Sequence, residues 1–78
     1  MTPIDEQDTE LLEAIGQKIK ELRKSEKIGY IQLAKKIGIS RNALSLMESG
    51  KVYFKFSALL KILRYFKVTT QDFFKDLD

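Results

Sequence analysis

Residues 33–50 read Leu33-Ala34-Lys35-Lys36-Ile37-Gly38-Ile39-Ser40-Arg41-Asn42-Ala43-Leu44-Ser45-Leu46-Met47-Glu48-Ser49-Gly50. This stretch encodes two short helices and a tight turn. Ser40 can cap the second helix, because its hydroxyl accepts a hydrogen bond from a free backbone N–H of the first turn. Gly50 can end it, because glycine enters the left-handed conformation without a steric penalty. Leu44 and Met47 are three apart and share a face, so they point into a core. Arg41, Asn42, Ser45 and Leu46 are left on the outside. Ahead of the turn, Leu33, Ala34 and Ile37 form the apolar face of a helix over residues 30–37, which Gly38 stops. Ala34 is small enough to let a crossing helix approach closely. Two short helices joined by about three residues containing a glycine make a helix-turn-helix. The arrangement predicts that the outer face of residues 41–49 reads bases in a DNA major groove.

Upstream, Leu11, Leu12, Ile15, Ile19 and Leu22 recur at three- and four-residue intervals, which predicts a helix over residues 9–26. Thr9 or Asp8 can cap it, and its acidic first turn suits the helix dipole. Residues 1–8 carry nothing apolar at helical spacing and are expected to form a flexible arm ahead of a single domain, 9–78. Downstream, Lys51-Val52-Tyr53-Phe54-Lys55-Phe56 predicts an extended connection with Phe56 turned into the core. Ser57 can cap a fourth helix over 58–66, apolar nearly all round, which calls for burial against a second subunit. Thr69-Thr70-Gln71-Asp72 fits a capping box for a short last helix carrying Phe73, Phe74 and Leu77. Adjacent phenylalanines cannot both face one core. The candidate dimer surface is therefore Leu60, Tyr65, Phe73, Phe74 and Leu77.

Composition narrows the function classes. With 78 residues the chain is one small domain, and 44% hydrophobic residues suffice for a core. Cysteine and histidine are both absent, which removes disulfides, thiolate metal sites and the commonest general base. No apolar run approaches the roughly 18 residues of a membrane span, and the acidic start lacks a signal-peptide core. A cytoplasmic protein is expected, with no cofactor and no metal. The net charge is +3, but its distribution says more: residues 14–67 hold thirteen Lys or Arg against Glu21, Glu26 and Glu48. A basic centre between acidic ends suits a polyanionic partner, and equally a lysine-rich solvated surface.

Three groups of residues then carry a family likeness. They are Ile19-Lys20-Glu21-Leu22-Arg23-Lys24, the Leu33-Ala34…Gly38-Ile39-Ser40…Leu44-Ser45…Glu48-Ser49-Gly50-Lys51 series, and Leu59-Leu60-Lys61-Ile62 leading to Val68-Thr69. Residues 15–74 resemble the phage-repressor-like (XRE-type, Cro and lambda-repressor-type) helix-turn-helix family. The resemblance implies an all-α, compact five-helix domain whose third helix enters the major groove. It implies base contacts from Arg41, Asn42, Ser45 and Leu46, with Gln32 and Ala43 on the same DNA-facing surface. Phosphate contacts are implied at Tyr30, Ser49 and Lys51, and Lys35 is a further candidate. A structural ion pair between Arg23 and Glu48 is also implied. The sequence departs from the family at four places. Gly29-Tyr30 stands where Ser-Gln or Thr-Gln is usual, and Leu46 where a long polar side chain is usual. Residues 51–54 replace a polar loop, and Phe66-Lys67-Val68 lacks the usual glycine.

The leading expectation is a sequence-specific regulator of transcription, a repressor binding a palindromic double-stranded operator as a homodimer, with no membrane partner and no small-molecule ligand. The alternative is a protein-binding module of the same fold, such as an antitoxin-like or co-regulator subunit, suggested by apolar Leu46 and residues 52–56. An enzyme is disfavoured, because no shielded carboxylate pair for acid–base work is visible.

Overall fold

The computed structural model describes residues 3–75 and 77, and the described residues contain five helices and no strand. Helix α1 spans Glu6–Ser25, α2 Tyr30–Ile37, α3 Arg41–Ser49, α4 Phe56–Phe66 and α5 Thr70–Lys75. Their apolar faces converge on one core of Ile15, Ile19, Ile28, Leu33, Ala34, Leu44, Met47, Leu59, Ile62, Leu63 and Phe73.

The turn between α2 and α3 forms as its residues require. Gly38 takes φ +76°, and the Gly38 and Ile39 amides both donate to the Ala34 carbonyl, at 2.9 and 3.0 Å. Ser40 Oγ accepts from the Ala43 amide at 3.0 Å, and Gly50 closes α3 at φ +70°. The last helix begins with the expected side-chain cap, Thr69 Oγ1 accepting from the Asp72 amide at 3.0 Å.

Helices α1 and α4 end without glycine. Lys27 and Lys67 hold left-handed backbones at φ 55° and 58°. At both ends the same two backbone bonds close the helix: Lys27 N–H to Lys24 O with Ile28 N–H to Arg23 O, and Lys67 N–H to Arg64 O with Val68 N–H to Leu63 O. Buried Ile28 and half-buried Val68 then anchor the exiting chain on the core. That apolar contact commonly accompanies this end geometry, and it offsets the cost of a side chain in the left-handed region.

Five expectations need correction. First, α1 starts at Glu6, because Asp5 accepts from the Gln7 amide at 2.9 Å and so supplies an earlier cap. Residues 6–8 are therefore helix rather than arm, while residues 1 and 2 lie outside the described set. Second, Leu11 is 51% exposed, so the buried stripe of α1 is Leu12, Ile15 and Ile19. Third, α4 begins at Phe56 with Lys55 at its N-cap, not at Ser57. Fourth, Phe56 is 55% exposed, and it is Phe54 that turns onto the core. Fifth, Phe73 is fully buried within the protomer, so it cannot form a dimer surface. Its neighbour Phe74 packs edge-on against it, ring centroids 5.2 Å apart, and remains half-buried with Leu77.

Candidate nucleic-acid interface

Helix α3 has one buried face and one outward face. Leu44 and Met47 go inward, at 0% and 2% exposure, and Arg41, Asn42, Ala43, Ser45, Leu46 and Ser49 are all exposed. At 100° per residue, Asn42, Ser45, Leu46 and Ser49 form the strip opposite the core, with Arg41 and Ala43 at its edges. Gln32, Lys35 and Lys36 are exposed on α2, and Lys51 is exposed just past α3.

Two features fix α3 against α1. The first is an ion pair. Arg23 Nε and Nη2 each donate to a different Glu48 carboxylate oxygen at 2.8 Å, and Nη1 donates to the Ile28 carbonyl at 3.1 Å. Both side chains are largely shielded, at 13% and 8% exposure. The hydrogen bonds that it donates to Glu48 push the Arg23 guanidinium above its ordinary pKa. One residue therefore ties α1, the turn after it, and α3 together. Its guanidinium also lies 6.0 Å from the centre of the Tyr30 ring, at the start of α2.

The second feature is a pair of glycines, Gly16 on α1 and Gly50 at the end of α3. A Cβ on Gly16 would lie 2.5 Å from the carbonyl oxygens of both Met47 and Glu48. A Cβ on Gly50 would lie 2.6 Å from the Glu13 Cα. Glu13 and Gly16 are one turn apart on α1, and residues 47–50 form the end of α3. The two backbones thus meet with no side chain between them. A signal for Gly16 exists in the sequence: glycine inside a helix costs about 1 kcal/mol relative to alanine, so its presence there calls for a packing reason.

Beyond α3, Tyr53 fastens the connecting loop to the start of α1. Its hydroxyl donates to Asp8 Oδ2 at 2.6 Å and accepts from the Asp5 amide at 3.1 Å. The bond to Asp8 holds the phenol above its ordinary pKa. No local pattern could have revealed a contact between residues 45 positions apart in sequence. Ser49 is bonded within its own end of α3. Its hydroxyl donates to the Leu46 carbonyl at 2.7 Å and accepts from the Lys51 amide at 3.3 Å. These two bonds shape the exit from α3.

Of the implied site, then, Arg41, Asn42, Ala43, Ser45 and Leu46 share the outward side of one helix, and Tyr30, Ser45 and Ser49 line a cleft with Lys20, Arg23 and Glu48. Leu60, Phe74 and Leu77 are half-buried and Tyr65 is 38% exposed, so four of the five candidate dimer residues keep apolar surface outside the core. Among the described residues no group of His, Cys, Asp or Glu could hold a metal ion, and no helix is long and apolar enough to cross a membrane.

With this geometry in place, comparison with known proteins is decisive at the family level. The profile of the helix-turn-helix family matches residues 19–73, more than half of the chain. The chain belongs to the helix-turn-helix family. Its fold is that of the family's DNA-binding transcription regulators. Solved helix-turn-helix structures agree. The tetramer of the restriction-modification controller protein C.Esp1396I in complex with its natural 35 base-pair operator shares 25% identity. The match covers 86% of this chain and 88% of that one, with a TM-score of 0.75. A transcriptional regulator from Vibrio cholerae shares 26% identity over 88% of this chain and 39% of its own, with a TM-score of 0.77. The clp gene regulator ClgR from C. glutamicum, at 21% identity, covers 86% of each chain with a TM-score of 0.77 and supports the fold alone. No curated protein sequence matches the chain.

Proposed function

We propose that this helix-turn-helix protein is a sequence-specific, double-stranded-DNA-binding repressor that acts as a homodimer on a palindromic operator. The observation that carries the reading is the mounting of α3. A helix of nine residues is capped at both ends and clamped to α1 by the Arg23–Glu48 pair and two glycine contacts, yet its outward face is left open. Fixing a short helix so firmly while exposing arginine, asparagine and serine suits a surface whose side chains must meet base edges at set positions. Arg41 suits bidentate bonding to guanine and Asn42 to adenine, with Ser45 one turn on. Tyr30, Gln32, Lys35 and Lys51 flank this face and suit the phosphate backbone, which sets register and supplies most of the affinity.

One recognition helix makes too few contacts for specific binding at cellular salt. Leu60, Tyr65, Phe74 and Leu77 supply the apolar surface for pairing two protomers across a two-fold axis. Half-sites would then lie about 34 Å apart, one turn of DNA. That a related controller protein was solved as a tetramer on its operator supports both DNA binding and assembly.

Fluorescence anisotropy with a duplex at several salt concentrations tests the reading. Lys35 and Lys51 from each protomer give four neutralised phosphates per dimer, so the slope of log affinity against log salt should be about −3.6. Between 50 and 200 mM salt, affinity should fall on the order of a hundredfold. Salt-insensitive binding, or none to any duplex, defeats it.

A second reading, a protein-binding module, draws on one observation: Leu46, Val52, Tyr53 and Phe54 line an apolar cleft of about 570 Å³ beside α3. Absence of duplex binding would favour it.

A further inference from the structure

We infer that Leu46 is a specificity residue that reads the C5-methyl group of a pyrimidine in the major groove. The inference rests on the proposed binding of α3 to duplex DNA and names the chemistry that one position selects.

Leu46 lies in the middle of α3, on the strip opposite the core, and is 40% exposed. One side of it borders the cleft beside α3, whose lining is mostly apolar, with Ala43, Val52 and Phe54 together with Lys55 and Lys61. On its other flank stands Ser45, a hydroxyl. The outward strip is thus polar except at one point.

Elimination then identifies what that point can read. Base edges in the major groove present acceptors (N7, O6, O4), amino donors, and one apolar group, the methyl at C5 of thymine. An alkyl side chain pressed against an acceptor or an amino group strips water from it and returns no hydrogen bond, which is unfavourable. Against a methyl, the same side chain gains apolar burial. Leucine at this position therefore disfavours every edge but a methylated one. Two sources carry that methyl at the same place: thymine, and cytosine methylated at C5. The spacing follows as well. Leu46 follows Asn42 by four positions, a rise of about 6 Å along the helix. With about 3.4 Å per base step, the methyl should lie about two base pairs from the base that Asn42 meets.

The test uses the full chain and a duplex recovered by selection from a random pool. Thymines are replaced one at a time by deoxyuridine, and cytosines by 5-methylcytosine, for the unaltered protein and for Leu46→Ala. One pyrimidine position per half-site should respond. If it is thymine, deoxyuridine weakens binding about fourfold, the worth of one buried methyl; if it is cytosine, methylation strengthens binding by the same factor. Changing both half-sites doubles the effect in logarithm, to about sixteenfold. Leu46→Ala should melt like the unaltered protein and show no methyl preference. Methyl-indifferent binding by the unaltered protein, with the steep salt dependence intact, overturns this inference and leaves the proposed function standing. A methyl preference that survives Leu46→Ala overturns the assignment to this residue. Absence of binding to any duplex overturns both.

Discussion

Gly16→Ala is expected to destabilise the domain by about 2 kcal/mol or more, although alanine is the better helix former. The two contributions have opposite signs, and their sizes decide the outcome. Replacing glycine by alanine inside a helix favours folding by about 1 kcal/mol. The added Cβ, however, would lie 2.5 Å from two carbonyl oxygens of α3 and 2.8 Å from the Glu48 carbonyl carbon. These are backbone atoms at the end of a capped helix, so no rotamer change relieves the clash. Overpacking costs about 1–3 kcal/mol where side chains can yield, and more where they cannot. Taking the upper end leaves a net loss of about 2 kcal/mol, or about 8–16 °C in melting temperature for a domain of this size. Total stability is itself on the order of 4–12 kcal/mol, so the loss is a large share of it. Thermal and urea unfolding followed by circular dichroism measures it. A melting temperature that rises in Gly16→Ala would show that the helix-propensity contribution wins and that α1 and α3 are not in backbone contact.

The second large effect is expected at Arg23. Arg23→Met removes two charge-assisted bonds to Glu48 and one to the Ile28 carbonyl. It leaves a carboxylate that is only 8% exposed without its counter-ion. Stranding a buried charge costs about 3–5 kcal/mol, and partial access to water places this site near 3 kcal/mol. The double variant Arg23→Met, Glu48→Met removes both charges and should recover more than half of that loss, since an apolar pair of similar size often replaces a buried ion pair at little net cost. Denaturant midpoints for the two singles and the double close the cycle. Additive losses would mean that the pair is not coupled. Arg23→Lys should fall between Arg23→Met and the parent, because an ammonium keeps the counter-charge but lacks the planar fork that bonds both carboxylate oxygens and the Ile28 carbonyl at once.

The contrast between these two sites shows what the chain discloses in advance. Arg23 and Glu48 belong to a family pattern, so their pairing could be expected and was found. The α2–α3 turn was legible because Gly38, Ser40 and Gly50 each have a backbone or capping role that few other residues fill. The outward face of α3 followed from two inward residues, Leu44 and Met47. What could not be read was set by distant contacts. Gly16 looks like a mild defect in α1 until α3 is laid against it. Tyr53 looks like one aromatic in an interleaved loop until its hydroxyl meets Asp8 and the Asp5 amide. Phe73 and Phe74 are equivalent by pattern in a helix of six residues, and only packing against α4 and the core decides which is buried. Phe56 and Phe54 were exchanged for a related reason. The first turn of α4 forms at Phe56 without a side-chain cap, so the signal expected at Ser57 misplaced the boundary by two residues.

Lys67 shows the reverse relation. The missing glycine before Val68 is a departure visible in the sequence, yet the backbone there is left-handed all the same. The two closing bonds and the packing of Val68 impose the conformation that glycine would have adopted freely. The departure at Leu46 is of another kind. It alters nothing in the fold, because the side chain points away from the core, and so its consequence falls on whatever α3 meets.

The central claim is that the outward face of α3, in a two-fold pair of chains, reads a defined DNA sequence. Selection of bound duplexes from a random pool, run in parallel with Arg41→Ala, tests it most directly. A two-fold-symmetric site with half-sites about one helical turn apart should be enriched, and Arg41→Ala should relax one base pair in each half-site, worth about 1–3 kcal/mol of discrimination. A pool that stays random after repeated rounds, or a site that Arg41→Ala recovers unchanged, would contradict it.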